Sequence, residues 1–372
     1  MAFKMPLYGN PQAMSEQKRT RWQRRPGTTG GKRPWNDWRN ASSWRRATQL
    51  LLLAINLYIG VTFYYWVRYY ETGGTSLYLP RPGGIEGWLP VAGLMNLRYT
   101  LETGALPPIH AAAMLLLAAF MLTSVLLKKA FCSWLCPIGT LSELIADLGK
   151  RLSGRNFSLP RFLDIPLRGV KYLLLIFFLS ISLSMPAQGI QYFLMSAYGI
   201  IIDVKMLGFF RHIGTITLLS VALLVLLSLF VRNAWCRYLC PYGALLGLLS
   251  LLSPFKIRRN AQSCIDCGKC AKNCPSRIPV DKLIQVRTVE CTGCMTCVES
   301  CPVASTLSFS LHTPKGDNLK HHGGLSGIAM TLLVCGILFA SVALAMLMGV
   351  WDSPVPEHLY FRLIPEASMI GH

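Results

Sequence analysis

The sequence predicts an all-α polytopic membrane protein, in which five transmembrane helices (two parallel hairpin repeats plus one) carry a small cysteine-rich cytoplasmic module. Three observations lead to this prediction: long apolar stretches, a one-sided distribution of Lys and Arg, and cysteines in repeated runs. Of the 372 residues, 52% are hydrophobic and 15% are charged, whereas a soluble domain carries about 25% charged residues. The composition therefore excludes an ordinary soluble domain.

Five apolar stretches are long enough to cross a bilayer, which requires about 20 residues per helix. They are residues 48–67, 109–127, 171–190, 213–231 and 325–349. Pro186 and Gly189 interrupt the end of the third stretch. We expect a mild kink or a slightly short span there.

Lys and Arg are concentrated in alternate connecting segments. Segments 1–47, 128–171 and 232–324 hold eleven, eight and twelve of these residues, and all other segments together hold six. Because positively charged loops stay in the cytoplasm, we expect the N-terminus and the cysteine-rich module inside and the C-terminal tail outside. The formal charge of +20 is then mainly a topology signal, and no nucleic-acid partner is expected.

The N-terminal arm is basic, rich in Gly and Pro, and interleaved with tryptophans at positions 22, 35, 38 and 44. No short apolar region with a cleavage site follows it, so it is not a removable signal peptide. Two interpretations remain. The arm lies on anionic lipid headgroups, with its tryptophans at the interface, or it docks an acidic partner.

An internal repeat relates the first four spans. Residues 130–141 and 234–245 both contain Cys-x3-Cys-Pro, and each copy follows the second helix of a hairpin. The spans therefore form two parallel hairpin repeats about an axis along the membrane normal. We expect seven consecutive parts: a basic cytoplasmic arm (1–47), hairpin repeat 1 (48–127), a cytoplasmic loop (128–170), hairpin repeat 2 (171–231), the cytoplasmic module (232–324), a fifth helix (325–349) and an outer tail (350–372).

The module contains two runs of the bacterial ferredoxin type, Cys-x2-Cys-x2-Cys-x3-Cys-Pro. In two-cluster ferredoxins the fourth cysteine of each run ligates the other cluster. The spacing therefore predicts a bacterial-ferredoxin-like 2[4Fe–4S] module in which Gly268 and Gly293 supply tight turns. The first cluster takes Cys264, Cys267, Cys270 and Cys301, and the second takes Cys291, Cys294, Cys297 and Cys274. A zinc module, the alternative, needs four thiolates per ion but not this doubled pattern.

The paired Cys-x3-Cys-Pro motifs have a less specific meaning. Two cysteines four residues apart share a helix face, and the prolines after them predict new helices over 138–152 and 242–252. Three interpretations are open: a shared four-thiolate site for a further Fe–S centre or a single metal, two redox-active dithiols, or packing. We prefer the shared metal site, formed by Cys132, Cys136, Cys236 and Cys240. Cys335, alone in an apolar run, is predicted to be a packing residue.

Haem is not expected. The sequence contains no Cys-x-x-Cys-His attachment motif. His110 and His212 are the histidines at membrane depth, both near the outer ends of spans. A bis-histidine b-haem between their helices is the alternative, but such residues more often make interfacial hydrogen bonds. No nucleotide fingerprint and no nucleophile–base constellation were found, so substrate chemistry would belong to a partner.

The cysteine pattern resembles the membrane polyferredoxin family, which includes NapH, the C-terminal half of NosR, MauN and YccM-like proteins. The resemblance covers residues 48–349, and the segment from Gly87 to Tyr99 and on to His110 is similar to the family's first outer loop. Two features differ: the large flavin-carrying outer domain of NosR has no counterpart here, and NapH-type proteins lack the fifth span and the outer tail.

The resemblance implies an electron-transfer subunit of the bacterial inner membrane, commonly associated with quinol oxidation. We expect it to relay electrons between quinol, or a periplasmic-side redox partner, and its cytoplasmic clusters within a respiratory complex. The alternative is an accessory reductase that supplies electrons for maturation of a metal centre or thiols in another enzyme. Oxidation of a quinol releases protons, and the titratable residues near the outer face are Glu86, Glu102, His110 and Asp203. Of these, His110 is our candidate for a quinol site.

Overall fold

The computed structural model describes residues 41–154, 159–303, 306–311 and 324–371. Most of the predicted basic arm, including tryptophans 22, 35 and 38, lies outside the described residues. The part of the arm from residue 41 onward is helical. It forms the beginning of α1 (Ala41–Glu71), which is longer than the predicted span 48–67.

Helices dominate the described chain. After α1 and a 3-10 turn (Gly83–Trp88), the first half contains α2 (Pro90–Thr103), α3 (Ala111–Leu127), α4 (Ala130–Trp134), α5 (Pro137–Ser153) and α6 (Arg161–Ser184). The second half contains α7 (Ala187–Met195), α8 (Ala197–Ile200), α9 (Ile202–Arg211), α10 (Thr215–Phe230), a π-helical turn (Trp235–Leu239), α11 (Pro241–Leu249), β1 (Lys256–Arg259), α12 (Lys269–Lys272), a 3-10 turn (Val280–Lys282), α13 (Thr296–Glu299), β2 (Leu307–Ser310), α14 (Gly327–Leu347) and α15 (Glu357–Leu363).

Two of the described helices, α1 and α14, are each long and apolar enough to cross a membrane. Two further candidate spans are bent pairs: α6 with α7, at 97°, and α9 with α10, at 81°. Helix α3 is apolar but shorter. The described chain thus holds two to four candidate spans by length and composition.

The mild kink expected near Pro186 is wrong, because the chain turns sharply there. Helix α6 ends at Ser184, and Met185 is extended at φ −85° and ψ 129°. A residue before proline is driven out of the helical region, and proline has no N–H to continue the helix. Pro186 instead precedes α7 as its N-cap, so one predicted span becomes two helices at a steep angle.

One end of the molecule is formed by segments that the charge distribution assigns to the outer side of the membrane, and these segments are in contact with one another. Arg81 binds Asp203, and Arg211 binds Glu71. The tail joins them, because α15 packs on α1 within a shared apolar cluster.

The opposite end is formed by segments that the charge distribution assigns to the inner side, and these segments are also in contact with one another. Arg45 near the start of α1 pairs with Glu143 of α5, and Arg232 after α10 binds the same carboxylate. Lys171 of α6 pairs with Glu290 of the cysteine-rich module. Helix α1, with Arg45 near its start and Glu71 at its last residue, therefore runs between these two ends.

The cysteine-rich module is built on a small antiparallel sheet. Strands β1 and β2 pair with Ile257 opposite Phe309, and both side chains are buried. The module is fixed to the helices by backbone carbonyls: Ser133 Oγ donates to Thr292 O at 2.7 Å, and Trp134 Nε1 donates to Gly293 O at 3.3 Å. The cysteine-bearing loops are thereby held against α4.

Candidate functional site

The eight cysteines of the two ferredoxin-type runs line two small cavities in the module. One cavity is lined by Cys264, Cys267, Cys270 and Cys301. The other is lined by Cys274, Cys291, Cys294 and Cys297. In each cavity the last cysteine of one run lies with the first three of the other, and four such sulfur donors are the set that a [4Fe–4S] cluster takes.

Left-handed backbone shapes both cysteine loops. Gly268 (φ +64°) precedes α12, and Gly293 (φ +62°) lies between two cysteines of the second run. The tight turns predicted at both glycines are confirmed. At Gly293 a Cβ would lie 3.1 Å from the carbonyl oxygen of Leu127, so this turn also brings the second run against the end of α3.

The two cavities differ in exposure. Each cavity has two buried cysteines, Cys270 and Cys301 in the first and Cys291 and Cys297 in the second, but in the first cavity Cys267 is exposed. The amide of Ile278 donates to Cys274 Sγ at 3.4 Å, the kind of backbone contact that stabilises anionic sulfur. The contact of Gly293 with the end of α3 places the second cavity toward the helices, and the first cavity reaches the surface of the module at Cys267.

Each Cys-x3-Cys-Pro pair spans a break between helices. Cys132 lies in α4 and Cys136 is the N-cap of α5, while Cys240 is the N-cap of α11. The expectation that each pair shares one helix face is wrong, because the second cysteine is extended and the following proline begins a new helix. The new helices predicted after Cys136 and Cys240 are confirmed.

The four cysteines of these motifs lie together nonetheless. Cys132, Cys136, Cys236 and Cys240 line one large cavity and are each partly accessible. Burial raises the pKa of all four thiols, that of Cys136 to about 11. Cys240 Sγ accepts a hydrogen bond from the amide of Gly243 at 3.3 Å. In the described part of the chain no three His, Cys, Asp or Glu side chains lie close enough for a single metal ion.

The large cavity extends along the helices toward the outer end. Its volume is about 460 Å³. Trp88 and Trp351 line it toward the outer end, and Cys294 and Pro275 of the module line it toward the inner end. Since Cys294 also borders the second ferredoxin-type cavity, the large cavity ends directly against that cysteine set.

Charged side chains surround the inner end of the large cavity. Arg45 Nη1 lies 2.7 Å from Glu143 Oε2, and Arg232 Nη2 lies 3.1 Å from Glu143 Oε1. All three residues line the cavity, as does Lys129. The arginines hold the pKa of Glu143 well below its usual range, against the opposing effect of burial. The sequence showed these residues as loop charges, and their pairing was missed because they come from three separate segments.

Two adjacent lysines lie between the cysteine sets. Lys129 is buried beside Cys132 and the carboxylate of Glu290. Lys128 is fully buried and packs against Gly293 of the second run. Both were counted in the sequence as topology signals, and no local pattern distinguishes them from lysines at the membrane surface.

At the outer end, His110 belongs to a buried network of four charged groups. Its Nδ1 lies 2.9 Å from Glu86, and its Nε2 lies 2.9 Å from the carbonyl oxygen of Gly199. Because a carboxylate and a carbonyl only accept, both ring nitrogens donate and the ring is an imidazolium. Arg81 Nη2 completes the network, 2.6 Å from Glu86 and 2.7 Å from Asp203.

The titratable residues that the sequence predicts near the outer face lie in two different environments. Glu86, His110 and Asp203 share the buried network, while Glu102 pairs with Arg98 near the surface. Arg81, which binds two of the carboxylates, was missed; it is one of few basic residues in the outer segments. His110 does not line the large cavity but borders a separate cavity of about 60 Å³. Trp351 lines both cavities.

The remaining residues singled out in the sequence have simpler environments. His212 ends α9 and is exposed, so the structure does not place it beside the buried His110. Cys335 of α14 is partly buried against the core, which agrees with a packing role.

Family models match the regions that carry the cysteines. A 4Fe-4S binding domain matches residues 109–156 and again 213–260, so that each match contains one Cys-x3-Cys-Pro motif. A 4Fe-4S dicluster domain matches residues 256–302, which contain both ferredoxin-type runs. The chain therefore carries 4Fe–4S binding domains. No solved structure matches it.

Curated relatives match between about half and nearly all of the chain. YccM of Escherichia coli, named as an electron transport protein, is 73% identical over 96% of this chain and 100% of its own length. The ferredoxin-type protein NapH of E. coli is 27% identical over 71% of this chain and 88% of its own. The regulatory protein NosR of Pseudomonas aeruginosa is 34% identical over 49% of this chain and 25% of its own. The chain belongs to the membrane polyferredoxin family and is an electron transport protein with 4Fe–4S domains.

Proposed function

We propose that this electron transport protein relays electrons between a quinol in the large cavity and the [4Fe–4S] clusters of its module, as one subunit of a respiratory complex. The observation that carries the proposal is the course of that cavity. It begins near Trp88 and Trp351, passes the four cysteines of the paired motifs, and ends at Cys294 of the second ferredoxin-type set. Its volume of about 460 Å³ falls within the range of ligand pockets.

The cluster ligands follow from the two small cavities. We assign Cys264, Cys267, Cys270 and Cys301 to the first cluster and Cys274, Cys291, Cys294 and Cys297 to the second. When bound, the clusters supply one-electron redox chemistry. The chain positions the second set against the cavity and the first set toward the surface at Cys267, which gives electrons a path through the module.

A further Fe–S centre is our assignment for the four cysteines of the paired motifs. They line one space, and Lys129 lies beside Cys132 with a charge that balances anionic sulfur. The dithiol alternative is less well supported, because a reactive dithiol needs a lowered thiol pKa, whereas burial raises the pKa here. Metal ligation would deprotonate such thiols.

Five membrane crossings are the topology that we propose. The chain passes between its inner and outer ends in α1, α3, the pair α6–α7, the pair α9–α10, and α14. Residues that pair at the inner end, such as Arg45 and Glu143, come from segments rich in Lys and Arg. The positive-inside rule then places the N-terminus and the clusters in the cytoplasm of a bacterial cell and the tail in the periplasm.

For the protons that quinol oxidation releases, we propose a route by exchange, in which the His110 imidazolium gives one proton to the outer side and is then reprotonated from the quinol side. His110 does not contact the large cavity directly, and we keep it as a quinol-linked residue in a proton-releasing role. The small cavity that contains His110 and Glu86 shares Trp351 with the large cavity. Protons would therefore leave on the periplasmic side.

The test is to narrow the cavity. Val342 of α14 lines it, whereas Leu344 of the same helix does not and is 49% exposed. In the purified protein we expect Val342→Phe to slow cluster reduction by a water-soluble menaquinol analogue by about tenfold, which corresponds to ~1.4 kcal/mol. The matched control Leu344→Phe should leave the rate unchanged.

Reduction by dithionite, which needs no quinol site, shows whether the clusters are intact in both variants. If the menaquinol analogue reduces the clusters of the wild type and of a Val342→Phe protein fully loaded with iron at equal rates, the large cavity is not the quinol site.

A further inference from the structure

Lys128 has a backbone conformation that lysine rarely adopts. It follows the last residue of α3 with φ +62° and ψ −168°, a region that is essentially reserved for glycine and costs about 1–3 kcal/mol for other residues. The conformation is held in place: the Lys128 amide donates to Ser253 Oγ at 3.1 Å, and Ser253 Oγ donates to the carbonyl of Leu126 at 2.8 Å. The fold therefore maintains a strained lysine at this point.

This backbone turn directs the Lys128 side chain into the module. A Cβ at Gly293 would lie 3.7 Å from Lys128 Cβ, so the side chain packs against the loop that joins Cys291 and Cys294. The side chain is 0% exposed. It thus lies beside the cysteine set that faces the large cavity.

The ammonium group of Lys128 lacks a protein partner. Within the described part of the chain, its Nζ is buried and has no hydrogen-bond acceptor. The charged groups that act on it are Cys291, whose thiolate would attract it, and Lys256, which repels it. Neighbouring Lys129 differs, since the carboxylate of Glu290 acts on it.

An unpaired buried ammonium costs several kcal/mol and is driven toward the neutral amine, so Lys128 keeps its charge only beside an anion. A [4Fe–4S] cluster with four thiolate ligands is anionic and gains one more negative charge on reduction. We propose that Lys128 is the charge-compensating residue of the second cluster and raises its reduction potential, so that this cluster accepts electrons from the membrane side. The proposal rests on the cluster assignment made above.

The test is a redox titration of the purified full-length protein, with dithionite and mediators, followed by EPR. Lys128→Met keeps an unbranched side chain, one atom shorter than that of lysine, and removes the charge. At a fixed potential we expect the ratio of reduced to oxidised second cluster to fall at least about tenfold, which for one electron is about 59 mV. Lys282→Met, which removes an exposed charge in the module, should leave both clusters unchanged, and Lys128→Arg should restore the potential.

Iron counts distinguish the possible failures. A Lys128→Met protein with wild-type iron and wild-type potentials overturns the proposal and leaves the cluster assignment intact. If Lys128→Met loses the iron of one cluster, Lys128→Arg decides. Retained iron in the arginine variant shows that the charge is needed to hold the cluster, whereas loss in both variants shows that the role of Lys128 is steric and overturns the proposal. Wild-type protein without the iron of two clusters would contradict the proposed function itself.

Discussion

At the scale of single residues, the outer network is a set of charges that balance only when His110 is protonated. Glu86 and Asp203 carry two negative charges, and Arg81 carries one positive charge. The imidazolium supplies the other. Its neighbours raise the pKa of His110, although burial opposes them, and His110 and Arg81 together lower the pKa of Glu86 to about 2.

The network should therefore keep its stability at mildly acidic pH and lose it as the pH becomes alkaline. A histidine whose pKa is raised by folding contributes stability that is complete below its unfolded value of about 6.5 and is lost as the pH rises through the folded value. Glu86 contributes stability that is present above its unfolded pKa and is lost only as the pH falls toward about 2.

We expect the melting temperature of the wild type to fall as the pH rises from 6.5. The free energy of unfolding should lose about 1.4 kcal/mol for each tenfold difference in the proton affinity of His110 between the folded and unfolded states. His110→Gln should be less stable at pH 6 and should lose this dependence. The control is His358→Gln, which changes an exposed histidine in the same end of the molecule. Parallel pH profiles for the wild type and His110→Gln would show that His110 is neutral when folded.

The sequence could identify Glu86, His110 and Asp203 as titratable residues on one side of the membrane, because topology follows from charge counts. It could not show that Arg81 joins two of them. That contact depends on how the loop after α1 packs against the start of α9, and no local pattern records such packing. The buried Lys128 was hidden for the same reason: a lysine after an apolar helix is most often at the membrane surface.

At the scale of elements, the two Cys-x3-Cys-Pro repeats are similar in sequence but differ in packing. In the first repeat, a Cβ at Gly139 of α5 would lie 2.3 Å from the carbonyl oxygen of Cys132. In the second repeat, a Cβ at the equivalent Gly243 of α11 would lie 3.6 Å from the carbonyl oxygen of Cys236. Contact at 2.3 Å with backbone cannot be relieved by a rotamer change, whereas 3.6 Å is ordinary contact.

This difference predicts unequal effects of one substitution in two equivalent positions. Gly139→Ala should displace Cys132 and destabilise the protein by about 1–3 kcal/mol. It should also reduce the iron that the protein holds in addition to the iron of the two module clusters. Gly243→Ala should change neither. Iron and sulfide counts with thermal unfolding measure both effects, and a Cys136→Ala, Cys240→Ala protein gives the value expected when the further centre is absent.

Identical iron contents in the wild type and the double cysteine variant would contradict the further Fe–S centre. Equal losses in Gly139→Ala and Gly243→Ala would contradict the packing difference and would leave the centre itself in place.

Helix starts in this region were predictable because proline at the first helical position is a local signal. Pro137 and Pro241 both begin helices, as expected. The sharp turn at Pro186 was underestimated for a related reason. A proline near the end of an apolar stretch is compatible with a kinked span or with a new helix, and which one forms depends on what the second helix packs against; α7 packs on α2.

At the scale of the whole molecule, the number of membrane crossings determines whether the two ends of the described chain lie on the same side of the membrane or on opposite sides. Residues with outward signals meet at one end, as Arg81 and Asp203 do, and residues with inward signals meet at the other, as Arg45 and Glu143 do. Helix length alone gives two to four candidate spans, because α3 is short and two spans are bent. An even count places Ala41 and Gly371 on one side, whereas five crossings place them on opposite sides.

Reporter fusions distinguish these counts directly. Alkaline phosphatase is active only outside the cytoplasm, and green fluorescent protein fluoresces after folding inside it. We expect a fusion after Gly371 to give phosphatase activity without fluorescence, since α14 carries the chain outward from the clusters. A fusion after Gly154, at the end of α5 in a segment rich in Lys and Arg, should give the opposite result. If both fusions fluoresce, the chain crosses an even number of times between α1 and the tail, and the proton route through His110 would no longer lead to the periplasm.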